Sequence, residues 1–305
     1  MAQSDVKARI GSVQNIRKIT RAMEMVSAAR LRKAEDRASS LRPYADALRR
    51  MTRQAAAAAG AGELQSQPVL RTHDQENTVG LVLVTADRGL AGAFNSQILR
   101  AGLTRAAELE AEGKTVVFYA SGRRGVSSLT FRNKELAGEY TGFTDAPSAR
   151  NASDIADDLV GAFVDDKIDR VEVFYNSYVS PLVQEVRQET LLPLAAASVV
   201  GGDDDVADEP AAEEPTGAKA MVEYEPDDPA ELLAELVPEF VQVSLLRALL
   251  ESAASEHGAR MSAMRSASEN AADVIKNLTL AMNRARQADI TQEIMEIVAG
   301  AEALN

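Results

Sequence analysis

Ile290-Thr-Gln-Glu-Ile-Met-Glu-Ile-Val-Ala-Gly-Ala-Glu-Ala303 ends a run in which no Gly or Pro occurs between Gly258 and Gly300. Apolar residues recur at Val274, Leu278, Ala281 and Ala285. After one step of five they continue at Ile290, Ile294, Ile297, Ala301 and Leu304. Spacings of three and four make a nearly continuous helical stripe. From about Pro238 to Asn305 the chain therefore reads as one helix, which at ~1.5 Å per residue reaches on the order of 100 Å. That is several times the width of a compact domain of this mass. Such a helix cannot be packed along its whole length inside its own protein, so a partner helix or a partner molecule has to surround it.

Working outward, the other end of the chain carries a matching signal. Val6, Ile10, Val13, Ile16, Ile19, Met23 and Val26 recur in threes and fours, and Leu41, Ala45 and Leu48 resume the pattern. This is a second long helix with something close to a coiled-coil seam. It starts at Gln3 or Ser4, with Asp5 in its first turn, where a carboxylate suits the helix dipole. Pro43 allows a kink or a break. Residues 54–77 turn Ala- and Gly-rich, then polar, and read as a frayed end and a linker.

Between the two helices the pattern changes. Short β-rich runs at Val79 to Thr85 and Thr115 to Ala120, with another strand at Arg170 to Val179, alternate with helical stretches at Phe94 to Glu110 and Ser148 to Phe163. Alternation of buried strands and helices implies a small parallel α/β sheet. Val183 to Leu192 alternates partially and ends at Pro193, which suits an antiparallel strand at an edge. The fold class is thus α/β: a long antiparallel coiled coil of the N- and C-terminal helices plus a small Rossmann-like α/β domain. Its parts fall at 1–58 (first helix), 75–195 (α/β domain), 199–228 (an acidic loop) and 229–305 (last helix), with Pro229 in a first helical turn and Pro238 a further kink or start.

Composition narrows the function. The chain has 305 residues, 46% of them hydrophobic but only 4% aromatic, with no Trp, which favours long helices packed through small residues. There is no Cys, so disulfides and thiolate metal sites are excluded. His73 and His257 lie far apart, which argues against a His-based metal site. No apolar run approaches the ~20 residues that span a bilayer, and the start shows no signal-peptide core. The expectation is a mature cytoplasmic protein without cofactors. The net charge of −13 is unevenly spread: Met1 to Arg53 holds 13 Lys/Arg against 5 Asp/Glu, whereas Val200 to Phe240 holds 14 acids against Lys219 alone. A basic N-terminus raises nucleic acid as a partner, but Tyr44 is its single aromatic and no base-reading module is present. Residues 201–216 are too polar and self-repelling to build a core.

Two turns suggest chemistry. Thr85-Ala-Asp-Arg-Gly-Leu-Ala-Gly-Ala-Phe-Asn95 joins a strand to a helix, where Gly89 and Gly92 are placed to cradle a phosphate. It has neither G-x-G-x-x-G nor the Gly-Lys-Ser/Thr of a P-loop. The competing reading is a tight turn with both glycines at positive φ and Asp87 capping the backbone. Ser121-Gly-Arg-Arg-Gly125 is a similar anion-friendly turn that reads as a plain turn. No nucleophile elbow, Ser/His/Asp set or spaced carboxylate pair occurs, so the α/β part reads as a scaffold.

Over nearly the whole chain these residues resemble the gamma subunit of rotary F-type ATP synthases. Ile290 to Ala303 fits that family's C-terminal signature, preceded by Ala254-Ser-Glu-His-Gly-Ala-Arg-Met-Ser-Ala-Met264 and Asn283-Arg-Ala-Arg-Gln-Ala288. Arg9-Ile-Gly-Ser-Val-Gln-Asn-Ile-Arg-Lys-Ile-Thr-Arg-Ala-Met-Glu-Met-Val-Ser-Ala28 resembles its first helix. The 87–95 turn is similar to the family's, with Ala91 and Ala93 in place of Cys and Gly, and both departures weigh against a ligand there. The longer acidic tract resembles actinobacterial versions.

The resemblance implies a non-catalytic rotor shaft at the cytoplasmic face of the plasma membrane, peripheral to it. Its partners would be a ring of three alpha and three beta subunits, the epsilon subunit and the membrane c-ring, with no nucleic acid and no small-molecule substrate of its own. Coupling contacts with the beta subunits then fall on Arg286, Gln287, Thr291 and Glu293, and on Arg9, Lys18, Met23, Arg30 and Lys33, which would face an acidic lever region. Contact with the c-ring falls on Tyr224 and Glu225. A loop holding Asp203, Asp204, Asp205, Asp208 and Glu209 this close to the ring would either touch it and bias rotation against ATP hydrolysis or be a passive solvated loop. The alternative is a nucleotide-binding α/β protein with coiled-coil arms.

Overall fold

The structure, a computed structural model, describes residues 3–58, 76–181, 183–193 and 229–302. Two helices dominate it: α1 (Gln3–Ala58) and the final helix (Pro229–Glu302), of 56 and 74 residues. At ~1.5 Å per residue these are roughly 84 and 110 Å long. Between them lie β1 (Thr78–Val84), α2 (Phe94–Ala111), β2 (Thr115–Ser121), α3 (Arg123–Phe131), β3 (Leu136–Tyr140), α4 (Ala149–Val164), β4 (Arg170–Tyr178) and β5 (Gln184–Leu192), which makes the last helix α5.

The two long helices run antiparallel. Glu24 pairs with Arg265 at 3.0 Å, Leu31 and Ala34 pack with Ala254, and Tyr44 donates to Glu239, so position falls along α5 as it rises along α1. Neither proline breaks its helix. Pro43 and Pro238 are both interior, and Pro229 opens α5, so of the two readings of Pro238 it is an interior position and not the start of the long helix. A proline costs a helix interior about 3 kcal/mol. Leu41, Ala45 and Leu48 around Pro43, and Leu236, Val237 and Val241 around Pro238, all join one core, and burying a few such side chains offsets that cost.

The seam on α1 differs from the expected apolar line. Val6, Thr20, Ser27, Ala34, Leu48 and Ala55 are buried and Val13 and Leu41 half-buried, an unbroken seven-residue repeat, with Ile10, Leu31, Ala45 and Thr52 four residues on. Ile16, Ile19 and Val26, expected in the seam, face outward, Ile19 at 59% exposure. Seven residues is the period that keeps a stripe on one side of a supercoiled helix. The apolar steps from Val13 to Val26 drift off it. Small Thr20 and Ser27 occupy the seam instead, and the buried residues of α5 past the collar are Met264, Ser268 and Ala271. Thr20 satisfies its hydroxyl on the Arg17 carbonyl at 3.1 Å.

The sheet has the order β3-β2-β1-β4-β5, parallel except for β5, which pairs antiparallel with β4 at the edge as its alternation suggested. β1 is buried on both faces. Val79, Leu81 and Leu83 pack under α2 and α3. Val82 and Val84 face the other layer, where α4, Leu48 and Ala55 of α1 and residues Leu232 to Leu249 of α5 form the larger core. The long helices thus share the core of the α/β domain through one sheet face. Two elements were not expected from the sequence, β3 and α3. The turn read at Ser121 to Gly125 is the start of α3, with Gly122 as its N-cap residue.

Candidate functional site

In open α/β sheets ligands bind outside the carboxyl ends of the strands, at the point where strand order reverses. Here that point lies between β1 and β4, and the chain's own last helix fills it. Ser255 of α5 donates from Oγ to the Asn176 carbonyl of β4 at 3.0 Å. Arg260 donates from Nη2 to the Gly89 carbonyl, in the loop after β1, at 3.3 Å. His257 Nε2 lies 3.1 Å from the Asp145 carbonyl, in the loop after β3. Since a carbonyl only accepts, Nε2 is the protonated nitrogen. Ser262 donates to the Pro181 carbonyl at 2.9 Å and Ser177 to Glu251 at 2.9 Å. As a result residues 252–260 are buried on every side of the helix.

The phosphate-like turns are spent on the same construction. Asp87 Oδ2 accepts from the Gly142 amide at 2.9 Å, the Thr144 amide at 3.2 Å and the Thr144 hydroxyl at 3.1 Å, while Oδ1 accepts from the Arg123 amide at 3.1 Å. Burial alone pushes the Asp87 carboxyl up, but these four donors together hold it below the usual carboxylate range. The first amides of α3 all have internal acceptors. Arg123 uses Asp87, Arg124 uses the Ala86 carbonyl at 3.1 Å, and Gly125 uses Thr85 Oγ1 at 2.8 Å. No donor of that helix start is left for an anion. Gly122 is fixed by space: its φ is 92°, and a Cβ there would lie 2.3 Å from the Thr85 carbonyl oxygen. In the neighbouring turn Gly92 takes positive φ as expected. Gly89 does not; Leu90 does, at 63°.

Charge is buried in this collar. Glu256, 1% exposed, pairs with Arg260 one turn on. Desolvation pushes the Glu256 carboxyl up and the Arg260 guanidinium opposes it. Burial likewise pushes the His257 imidazole down, with the Asp145 carbonyl opposing. Asp145 Oδ2 accepts from Arg30 of α1 at 2.6 Å and lies 3.4 Å from Arg88. The stretch Ala254 to Met264 stood out for its family likeness and Arg30 as an expected beta-subunit contact, but the pairing of Glu256 with Arg260 and of Asp145 with Arg30 and His257 was not expected from the sequence. The signal present was a Glu and an Arg four apart within the Ala/Ser run of 252–260.

Of the expected contact residues, Arg30 alone is bonded into this collar. Arg9, Lys18, Arg30 and Lys33 are exposed on α1 and Met23 is half-buried. Arg30 has an internal partner in Asp145, a contact not expected for it. Met23, Ile19 and Val26 line a half-open cleft of about 480 Å³ with Arg88, Leu90 and Arg124. Arg286, Gln287, Thr291 and Glu293 are exposed on the last turns of α5, Thr291 bonding back to the Gln287 carbonyl at 2.8 Å. Those turns pass beyond the start of α1: every side chain from Arg286 to Ile297 is exposed, including the stripe residues Ile290, Ile294 and Ile297. Tyr224, Glu225, Asp203, Asp204, Asp205, Asp208 and Glu209 lie outside the described residues, as does the whole expected acidic segment 199–228. Among the described residues no group of three or more His, Asp or Glu is placed to hold a metal ion, and no helix is long and apolar enough to cross a membrane.

A family model described as ATP synthase matches residues 2–304. The chain is similar to the ATP synthase gamma chain of Rubrobacter xylanophilus, 42% identical over 300 residues that cover 98% of this chain and 97% of that one. It is also similar to the ATP synthase gamma chain of a Nocardioides species, 41% identical over 304 residues, with coverage of 98% and 95%. Among solved structures it resembles a chain of the Euglena gracilis mitochondrial ATP synthase OSCP/F1/c-ring assembly, with a TM-score of 0.66 at 16% identity over 99% of this chain and 94% of that one. It also resembles a chain of the Tetrahymena thermophila mitochondrial ATP synthase central stalk/c-ring, with a TM-score of 0.57 at 22% identity over 82% and 99%.

Proposed function

The chain belongs to the ATP synthase gamma-chain family, and from that premise we propose that it is the central-stalk rotor of the enzyme, carrying torque between a membrane c-ring and the catalytic sites of the beta subunits. The observation that carries this reading is the contrast along α5. Residues 252–260 are clamped by the α/β domain and α1, while among the described residues every side chain from Arg286 to Ile297 is exposed. With roughly 25 Å of overhang, the tip has the form of a stiff pin for a sleeve supplied by other subunits. Its exposed face mixes Ile290, Ile294 and Ile297 with small Ala299, which suits sliding contact better than adhesion.

On this reading the subunit is not catalytic. The switch-point crevice is filled by Ser255 to Arg260, and the amides at the start of α3, Arg123 to Gly125, are bonded within the chain, which supports a scaffold over a nucleotide site. Arg286, Gln287, Thr291 and Glu293 at the tip, and Arg9, Lys18, Met23, Arg30 and Lys33 along α1, meet the beta subunits. Tyr224 and Glu225 meet the c-ring. The epsilon subunit completes the stalk, which works at the cytoplasmic face of the plasma membrane. The acidic tract with Asp203, Asp204, Asp205, Asp208 and Glu209 restrains rotation in the hydrolysis direction.

Two experiments test this. Affinity purification of the tagged chain from membranes is expected to bring down alpha, beta, epsilon and c subunits together; recovery of the chain without alpha and beta overturns the rotor reading. Deleting residues 201–216 is expected to raise ATP hydrolysis with synthesis kept, and equal rates in both directions before and after deletion reject the restraint.

A further inference from the structure

Torque has to cross from the α/β domain to the coiled coil inside this one chain, and the described contacts between them are of two kinds. The sheet-face core, from Leu48 and Ala55 to Leu249, is apolar apart from one ion pair, Arg247 of α5 to Glu189 of β5 at 2.7 Å. Apolar burial is non-directional; it holds the domain against the helices without itself selecting an angle. Hydrogen bonds and ion pairs depend steeply on angle, and these are concentrated at the carboxyl rim of the sheet. We propose that Asp145 is the key of a torque joint there, fixing the angular register of the α/β domain on both long helices at once.

The proposal rests on the rotor reading. Asp145 is a residue of the α/β domain, in the loop between β3 and α4. Its Oδ2 accepts from Arg30 Nη1 of α1 at 2.6 Å, and its main-chain carbonyl accepts from His257 Nε2 of α5 at 3.1 Å. Side chain and main chain of one residue thereby tie the domain to both helices at the same height. Arg88 Nη1, 3.4 Å from the same oxygen, adds the loop after β1. Asp145 Oδ1 is buried with no hydrogen-bond partner, so the side chain is oriented through Oδ2 alone. Arg30 and Asp145 stand 115 residues apart, so their bond is purely tertiary. Asp145 is thus a positioning residue. It touches no substrate and acts by keeping the domain from turning about the coil under load.

The load differs between two assays of the assembled enzyme, and this isolates the joint. Proton-driven ATP synthesis in inverted membrane vesicles draws all its torque through the α/β domain. ATP hydrolysis by the detached catalytic head turns the coil with that domain unloaded. Asp145→Asn is expected to lower synthesis on the order of three- to tenfold, inside the roughly two- to thirtyfold range of coupling changes produced by single residues in such networks. Head hydrolysis should stay unchanged, and Asp145→Glu should recover at least half of the lost synthesis. Arg88→Gln, at an exposed guanidinium whose loss leaves the fold intact, should lower synthesis in the same direction by less. Synthesis unchanged in both Asp145→Asn and Arg88→Gln overturns the joint, as does head hydrolysis that falls in parallel with synthesis. Failure of the unaltered chain to co-purify with catalytic and ring subunits would instead sink the rotor reading beneath it.

Discussion

Residues 252–260 and residues 286–297 are both continuous turns of one helix, yet the first stretch, rich in Ala and Ser, is buried on all sides and the second, which carries Ile290, Ile294 and Ile297, on none. Local propensity does not separate them. What separates them is which other elements reach them. The collar receives loops from the rim of the sheet and the flank of α1, and its few polar groups are bonded one by one: Ser255 to Asn176, Arg260 to Gly89, His257 to Asp145. The tip lies past the start of α1, and among the described residues its polar groups bond along their own helix, as Gln292 does to Glu296 at 3.0 Å. A single helix can therefore be gripped at one place and free at another. That combination is what a shaft needs.

The comparison breaks most readily at Arg260. Removing its guanidinium leaves the Glu256 carboxylate buried without its cation, which costs about 3–5 kcal/mol. Arg260→Ala is therefore expected to lower the thermal midpoint by many degrees, and a shift no larger than that of Arg286→Ala would show that the collar is no more ordered than the tip. A smaller effect is expected at the rim that makes the grip. Gly122→Ala places a Cβ against the Thr85 carbonyl at a φ of 92°, a strain of about 1–3 kcal/mol. Denaturant unfolding should register it as a lower midpoint at constant slope; no change would mean the rim yields freely.

The two regions were not equally legible. The tip could be read from sequence alone, because an uninterrupted helix with apolar steps of three and four is a local pattern. Burial along the helix pair was not. A stripe chosen by apolarity led through Ile16, Ile19 and Val26, whereas the seam runs through Thr20 and Ser27, where close approach selects small side chains over apolar ones. β5 was legible from its alternation, but β3 is five residues with Gly138 at its centre and α3 nine residues with Gly125 near its start, too short to show a period. The collar was the least legible part. Asp145 meets Arg30 and His257 across separations of 115 and 112 residues, and Asp87 caps loops 36 and 55 residues away rather than its own turn. Nothing in a local window marks such residues, because their role is created by the topology that brings four loops to one rim.

At the tip the expected effect on stability is smaller still, which sharpens the contrast. Arg286→Ala and Glu293→Ala, at exposed positions without tertiary partners in the described chain, should each change stability by no more than about 0.5 kcal/mol. If these residues meet the beta subunits, the same substitutions should lower ATP synthesis by the assembled enzyme. A loss of stability at the tip comparable to that of Arg260→Ala would mean that the overhang is packed by its own chain.

The smallest expected effect concerns acidity. Burial holds the His257 imidazole below its ordinary value of 6.5, with the Asp145 carbonyl opposing and the Arg260 and Arg30 guanidinium groups adding to the depression. The unfolded chain therefore takes up this proton at a higher pH than the folded one, and stability rises with pH wherever that difference persists. The contribution is complete above about 6.5 and is lost as pH falls toward the lower folded value. Asp87, also depressed, contributes with the same sign but in the carboxylate range, whereas Glu256, held above its ordinary value, contributes with the opposite sign, so the part due to the histidine is read as the difference from a variant that lacks it. His257→Gln keeps a donor for the Asp145 carbonyl and removes the titration. Its thermal midpoint should accordingly fall less between pH 7 and 5.5 than that of the unaltered chain. Equal slopes for the two proteins would place the proton uptake outside the collar, while a flattened slope would mark the collar, and not the solvent-bathed tip, as the part of α5 that responds to pH.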